Sequence, residues 1–494
     1  AILSGIPPHQ SGLYHNGQKL RDVLPDAELM PRYFSNHGYW SAGSGKLLHY
    51  IIDARSWDEY FPAKETEDPF PRTLYPKERP VNLPVGGPWQ YGETDWAALN
   101  VTDEEFGGDW LVSQWIGEQL RREHDQPFFL ACGIYRPHEP WFVPAKYFEP
   151  FPLESIQLPP GYREDDLDDL PPSGQRMGPN RYFAHIQQEG QWKKGIQAYL
   201  ASIHFADAIL GRVLDALEAG PHKDNTIVVL WSDHGWHLGE KQHWQKFTGW
   251  RVCDRVPLMV RVPKEVPGLP EGTRAGSICE RPVNLVDLFS TLPELCGLPA
   301  KEGISNHSLV PLLANPKAEW NHAAITQING PEAYAVSTEQ WRLIRYSNGD
   351  EELYDIATDP HEWTNLLHGP TASDHAAKAA ELRVLAPKNA VPVPEVPTKS
   401  LPQLRWHPFA KGTAPASKPD GNPFEVIFIN EREEDVELLR MDRDGRSKPY
   451  GQIGAAKSRK MKTRPGTVWL IRDVNGQALG HFRVGDRAAR AMIP

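Results

Sequence analysis

Hydrophobic and polar positions along the chain switch between two periods, and the switching predicts an α/β core followed by smaller β units. Residues 127–133 and 226–231 are short apolar runs that end in turn formers, the pattern of buried parallel strands. Between them, residues 199–218 place Ile203, Ala206, Leu210, Val213, Leu214 and Leu217 on one helical face. Helix followed by buried strand, repeated over residues 1–315, predicts a mostly parallel sheet flanked by helices. Residues 316–385 read differently. Segments 333–337, 341–346 and 352–355 are strand-like, with a Ser347-Asn348-Gly349-Asp350 turn before the last, which predicts a small antiparallel subdomain. Residues 386–423 are rich in Pro, Ala and Lys and read as a semi-rigid extended linker. Apolar runs at 424–430 and 467–472, with turns at Asp444-Gly445 and Asn475-Gly476, predict an all-β sandwich module over 424–494.

Composition sharpens this in three ways. The 47 prolines and 17 tryptophans in 494 residues point to a loop-rich enzyme, since each proline fixes φ and removes a backbone donor. The formal net charge of -11 argues against nucleic acid as a partner. For an anionic substrate, it means that isolated Lys, Arg and His side chains must build a local positive field. The four cysteines, Cys132, Cys253, Cys279 and Cys296, match no zinc spacing and read as free thiols. No apolar run approaches the ~20 residues of a membrane span. The chain opens on Ala1-Ile2-Leu3-Ser4-Gly5, which reads as the interior of an element, so a preceding segment is expected.

Candidate chemistry therefore lies where cations and metal-type ligands meet strand ends. Ser232-Asp233-His234-Gly235 comes directly after the run 226–231, at the strand end where open α/β sheets bind ligands. Asp233 offers a hard oxygen and His234 an imidazole. The competing reading is a turn in which Asp233 caps and His234 packs on Trp236. Lys246 comes after His243 and Trp244 on the next loop. Lys46 and His49, at i and i+3 after small residues, suit one face of a helical turn. Tyr135-Arg136-Pro137-His138-Glu139-Pro140-Trp141 lies just beyond the strand ending at Gly133.

In this order, these segments resemble the type I sulfatases, most nearly the iduronate-2-sulfatase-like branch. The stretch Leu3-Ser4-Gly5 through His9-Gln10-Ser11-Gly12 resembles the segment immediately C-terminal to the Cys-x-Pro-Ser-Arg signature, and Leu353-Tyr354-Asp355 through Asn365 resembles the family's tail. The resemblance implies an alkaline-phosphatase-like α/β fold and hydrolysis of a sulfated carbohydrate. It implies that Asp233 and His234 ligate Ca2+, that Lys46 and His49 stabilise the nucleophile and the sulfate oxygens, and that His138 and Lys246 meet the leaving oxygen, His138 as general acid. Trp141, Trp236 and Trp244 become candidates to stack on a sugar, since pyranose faces are apolar, with His243 a further substrate contact; the competing reading places each tryptophan in the core. The implied nucleophile is a formylglycine hydrate made from the signature cysteine; it is expected upstream of residue 1, which predicts no turnover by this segment alone. Export is implied as well. A phosphodiesterase or phosphonate hydrolase, or a non-catalytic anion-binding protein with an adaptor β domain, are the alternatives.

Residues 424–484 resemble the β domain of the von Hippel–Lindau tumour suppressor, through Phe428, Asn430, Asp444-Gly445, Pro449-Tyr450 and Pro465-Gly466 with Trp469. This implies a peptide partner. Tyr450, Thr463 and Trp469 fit the family's hydroxyproline pocket, but Thr467 stands where its histidine is expected. The competing reading makes Tyr450 and Trp469 core residues.

Overall fold

The computed structural model describes residues 1–49, 52–62, 74–76, 79–81, 94–394, 401–409, 414–419, 424–464, 466–485 and 488–494. Pro465 and parts of the expected linker (395–400, 410–413 and 420–423) lie outside the described residues. Internal packing divides the chain into two units, residues 1–81 with 95–394 and residues 82–94 with 395–494.

The first unit carries, in chain order, β1 (Trp40–Gly45), β2 (Glu59–Phe61), β3 (Trp96–Leu99), β4 (Phe128–Gly133), β5 (Trp141–Pro144), β6 (Val228–Trp231), β7 (His237–Leu238), β8 (Trp244–Gln245) and β9 (Leu258–Arg261). Strands β2, β1 and β4 form a parallel sheet in that order. Side chains of β4 alternate between two layers, as a period of two requires. Phe128, Leu130 and Cys132 join the cluster of Val112, Ile116, Leu120 and Ala216, built by helices Asp109–Arg121 and Trp192–Glu218. Phe129 and Ala131 join the cluster of Phe34, Trp57 and Phe289, which brings in helices Met30–Asn36 and Leu288–Leu295. The sheet is thus covered by helices on both faces, the α/β architecture expected from the pattern.

Two expectations need correction. Strand β6 pairs antiparallel with β9 rather than parallel. Its Val228 and Val229 enter the same two clusters as β4, so both of its faces are covered, and a doubly covered apolar run reads alike in either direction. The long helix begins at Trp192, and its buried stripe runs through Gly195, Ala198, Ala201, Phe205, Ile209 and Ala216, while the expected Ile203 is 41% exposed. Small residues set this face because the helices approach closely: a Cβ on Gly117 would lie 3.2 Å from Cβ of Ala216.

Four antiparallel strands come next in sequence order: β10 (Ala324–Gln327), β11 (Tyr334–Ser337), β12 (Trp341–Arg345) and β13 (Glu351–Asp355). The hydrophobic pattern does not reveal β10. One face of this sheet packs Val336, Leu343 and Leu353 on Ala379 and Leu382 of helix Ala372–Leu385. The other packs Ala335, Ile344 and Tyr354 on Leu170 and Trp250.

The second unit is built of β14 (Trp406–Pro408), β15 (Phe424–Asn430), β16 (Val436–Met441), β17 (Ser447–Ile453), β18 (Ser458–Thr463), β19 (Val468–Asp473), β20 (Ala478–Arg483) and β21 (Ala489–Ile493). They form a five-stranded sheet, β14-β20-β19-β16-β17, and a three-stranded one, β18-β15-β21. Phe428, Leu438, Trp469, Phe482 and Ile493, drawn from both sheets, share one buried cluster. Gly445 and Gly476 have φ of 79° and 80°, so both expected turns use the left-handed conformation that glycine allows. The linker expectation is corrected here. Residues 406–408 pair with β20 as an edge strand, and Ala414 is buried against Leu439 and Val468.

Candidate active site

Three strand ends converge. Lys46 leaves the end of β1 on a bend, not the expected helical turn, with its N–H donated to the carbonyl of Gly133 at 2.9 Å. His138 sits in the loop after β4. The Asp109 carboxylate fixes the start of that loop by accepting the Tyr135 and Arg136 N–H groups at 2.8 and 3.0 Å. Asp233 and His234 lie just past β6, where the Ser232 hydroxyl donates to the His234 carbonyl at 2.9 Å. Lys246 arrives on the loop after β8, a segment with positive φ at Lys241, Gln242, Gln245 and Phe247. Non-glycine residues adopt such values only where the surroundings enforce them.

Here the enforcement is visible. His243, whose ring nitrogens lie 2.8 Å from the Met177 carbonyl and 3.2 Å from the Lys246 carbonyl, ties the loop down. Buried Glu139 accepts from Trp244 Nε1 at 3.1 Å and from Gln245 Nε2 at 3.4 Å. The Lys246 ammonium is thereby aimed between two imidazoles, 2.8 Å from His234 Nε2 and 3.4 Å from His138 Nε2. Each ring donates Nδ1–H to a backbone carbonyl, Gly235 at 2.8 Å and Glu139 at 2.7 Å, which leaves Nε2 as the acceptor facing Lys246.

The electrostatics arise from this crowding of cations. Burial and the nearby Lys46 push Lys246 down to about 8. Burial, Lys46 and Lys246 push His49 down to about 4. Burial, Lys246 and Lys46 hold His138 well below the usual imidazole range. His234 is lowered by burial and Lys246. The Asp233 carboxylate is 66% exposed at 3.8 Å from His234. Such a set of ammonium groups and neutral imidazoles is complementary to a compact anion, which would oppose each of these shifts.

The other expected contacts are placed differently. Trp141 and Trp244 are both 0% exposed, with ring centroids 5.6 Å apart, and Trp141 stacks on Trp96 at 5.7 Å. They are core residues, because the aromatic cluster under the site needs their full area, and so they present no face to a sugar ring. His243 is buried as a loop anchor rather than a substrate contact. The aromatic that borders the site is Trp236, with Lys246 Nζ 5.7 Å above its ring. Tyr135, whose ring lies 4.8 Å from Lys46 Nζ, and Glu139 belong to the segment that the sequence marks around His138, without a role of their own there. In the second unit, Trp469 is 1% exposed and donates Nε1–H to Thr463 Oγ1 at 3.1 Å; Tyr450 packs edge-on against it at 5.2 Å. For Trp469 this is a core position, which corrects the peptide-contact expectation.

Asp233 and His234 do not make a calcium site by themselves. A hard divalent cation takes six or more oxygens. Among the described residues no group of three or more His, Cys, Asp or Glu side chains is gathered to hold a metal. His234 already engages both ring nitrogens. All four cysteines are free, and burial pushes the Cys132 thiol up to about 12. No helix among the described residues is long and apolar enough to cross a membrane.

Comparison with known proteins gives a consistent result. The sulfatase family model matches residues 1–298, and the model of the N-sulphoglucosamine sulphohydrolase C-terminal region matches 239–385. A sulfatase from Formosa agariphila is 37% identical over 401 residues, covering 78% of this chain and 76% of the relative. Iduronate 2-sulfatase of Mus musculus is 30% identical over 336 residues, 60% of this chain and 59% of that enzyme. Among solved structures, the phosphonate monoester hydrolase of Agrobacterium radiobacter superposes with a TM-score of 0.59 at 19% identity, over 79% of this chain and 86% of that one. A protein solved with its substrate D-glucosamine-2-N,6-O-disulfate gives a TM-score of 0.55 at 21% identity, over 78% and 85%.

Proposed function

The chain belongs to the sulfatase family, and on that premise we propose that its Lys46, His138, His234 and Lys246 cluster holds the sulfate group of a sulfated carbohydrate during ester hydrolysis. The observation that carries this reading is the Lys246 ammonium set between two neutral imidazoles, with Lys46 close enough to depress it. Sulfuryl transfer requires cations that hold a compact anion and meet charge developing on the leaving oxygen. Lysine suits that role as a point charge. A formylglycine hydrate would supply the attack on sulfur; the residues of this chain bind the anion, fix its oxygens and deliver the proton. Lys246 carries the available proton at neutral pH, and His138 gains one only once an anion offsets both burial and the lysines. A divalent cation at Asp233 would need further oxygen ligands besides that carboxylate, since no group of three or more His, Cys, Asp or Glu gathers there among the described residues. The solved neighbour bound to a glucosamine disulfate supports a sulfated saccharide as substrate class.

Calorimetric titration with inorganic sulfate tests the reading. Wild type is expected to bind, and Lys246→Met to lose about tenfold or more in affinity, the weight of one charge-assisted contact. Absence of sulfate binding by the wild type would sink the proposal. Ion chromatography of sulfate released from sugar sulfates by a chain that carries the formylglycine, run beside a phosphonate monoester, then separates a sulfatase from a phosphonate hydrolase or a binding protein.

A further inference from the structure

Beside the anion cluster lies a small cleft with no role in the chemistry above. Its volume is about 140 Å3, and its lining includes Tyr14, Asn16, Phe247, Thr248, Gln327 and Asn329. Three segments distant in sequence meet there: the loop around residues 14–16, the loop carrying Lys246, and the end of β10. Phe247 is common to both sites. Its ring centroid lies 5.7 Å from Lys246 Nζ, and the same residue lines the cleft. Its φ of 73° is one that a bulky side chain adopts only under constraint, so the ring is held in place between ammonium and cleft.

The polar lining points to a particular chemistry. Gln327 Nε2 donates to the carbonyls of Gly330 and Pro331 at 3.0 and 3.3 Å, which fixes the orientation of the amide. Its Oε1 is buried without a hydrogen-bond partner. A buried, unmet acceptor is unfavourable unless a donor arrives. Asn16 and Asn329 are exposed amides at the rim. No Asp, Glu, Lys or Arg belongs to the lining, and burial lowers the pKa of its one imidazole, His15, so no fixed positive charge there compensates a second charge on the ligand.

We propose that this cleft receives the sugar ring that bears the sulfate, and that it selects an uncharged, hydroxyl-rich pyranoside over a uronate. One sugar hydroxyl donates to Gln327 Oε1, the Asn16 and Asn329 amides read neighbouring hydroxyls, and Phe247 covers an apolar ring face. A uronate carboxylate would meet a bare carbonyl oxygen and, in His15, an imidazole that burial biases to the neutral form. The inference rests on the sulfate-binding reading of the Lys246 cluster, and it makes Gln327 and Asn16 determinants of which sulfated sugar is accepted.

The test is calorimetric titration of the full chain with inorganic sulfate, N-acetylglucosamine 6-sulfate and glucuronate 2-sulfate. The neutral sugar sulfate is expected to bind about tenfold more tightly than inorganic sulfate. Gln327→Leu and Asn16→Ala should each remove about three- to tenfold of that gain, the weight of one hydrogen bond, with inorganic sulfate held within about twofold. Asn16 stands on an exposed loop, so its variant remains informative if Gln327→Leu folds poorly. Sugar sulfates binding no better than inorganic sulfate, a preference for the uronate, or a gain untouched by both variants would each overturn the cleft assignment. Failure of inorganic sulfate to bind at all would instead remove the underlying function.

Discussion

Gly45 and Gly133 face each other at the ends of β1 and β4, and their missing side chains decide where Lys46 points. Gly45 has φ of 78°, and a Cβ there would overlap the Gly133 carbonyl oxygen. A Cβ on Gly133 would overlap the Lys46 backbone. Gly133→Ala is therefore expected to destabilise the protein by about 1–3 kcal/mol through overpacking and to weaken sulfate binding by displacing Lys46. Lys46→Met should lose the binding with little change in melting temperature. Thermal melts and sulfate titrations of both variants check this; wild-type stability and affinity in Gly133→Ala would contradict it. At this scale the sequence displays the cations but not their support. Lys46, His138, His234 and Lys246 are legible because each comes after a strand end or lies in its loop. Trp141, His243 and Trp244 mislead because an aromatic in a loop reads alike whether it faces solvent or the core, and only packing separates the two.

The loop that aims Lys246 is held at the level of elements by a buried polar network joining it to the antiparallel sheet. Lys241 Nζ donates to Asp166 Oδ1 at 2.8 Å and to the Glu362 carbonyl, with the Tyr354 ring centroid 5.4 Å away. Glu362 accepts the Arg251 N–H at 2.7 Å and lies 2.9 Å from Arg342 Nε on β12. Glu352 on β13 accepts from Trp250 Nε1 at 2.8 Å and from the Tyr346 and Tyr354 hydroxyls at 2.6 and 2.7 Å. Burial pushes Asp166 up to about 7 against the pull of Lys241, and Oδ2 of Asp166 has no partner. A folded pKa above the unfolded one means that the native state binds the extra proton, so this contribution to stability is complete below the unfolded value of 3.8 and is lost as pH rises through about 7. Asp166→Asn carries no such dependence. Its melting temperature relative to wild type should therefore rise between pH 4 and 7, and a difference that stays flat across that window would refute the assignment. None of this network is legible in the sequence. Strand periodicity locates β11, β12 and β13, but the positive φ at Lys241 and Gln245 arises from tertiary contacts that local propensity cannot register.

Across the whole molecule, the two units close separate cores. In the first, the Lys246 site stands on clusters built around Phe34, Phe205 and Trp250. In the second, Phe428, Leu438, Trp469 and Phe482 fill a cluster drawn only from residues beyond 400. The family models end at residue 385, so the chemistry and the second unit belong to different stretches of chain. A domain with its own core unfolds cooperatively by itself. Two calorimetric transitions are thus expected for the full chain. Trp469→Ala removes a fully buried side chain and should weaken only one of them, by about 3–5 kcal/mol. Sulfate should raise the other transition by binding its folded state, and the rise should grow with ligand concentration. Because that shift is read from the unit that keeps its tryptophan cluster, it should be the same in Trp469→Ala as in wild type. A single transition lowered as a whole by the substitution, together with a smaller sulfate shift, would show that the anion site depends on the β unit for its stability.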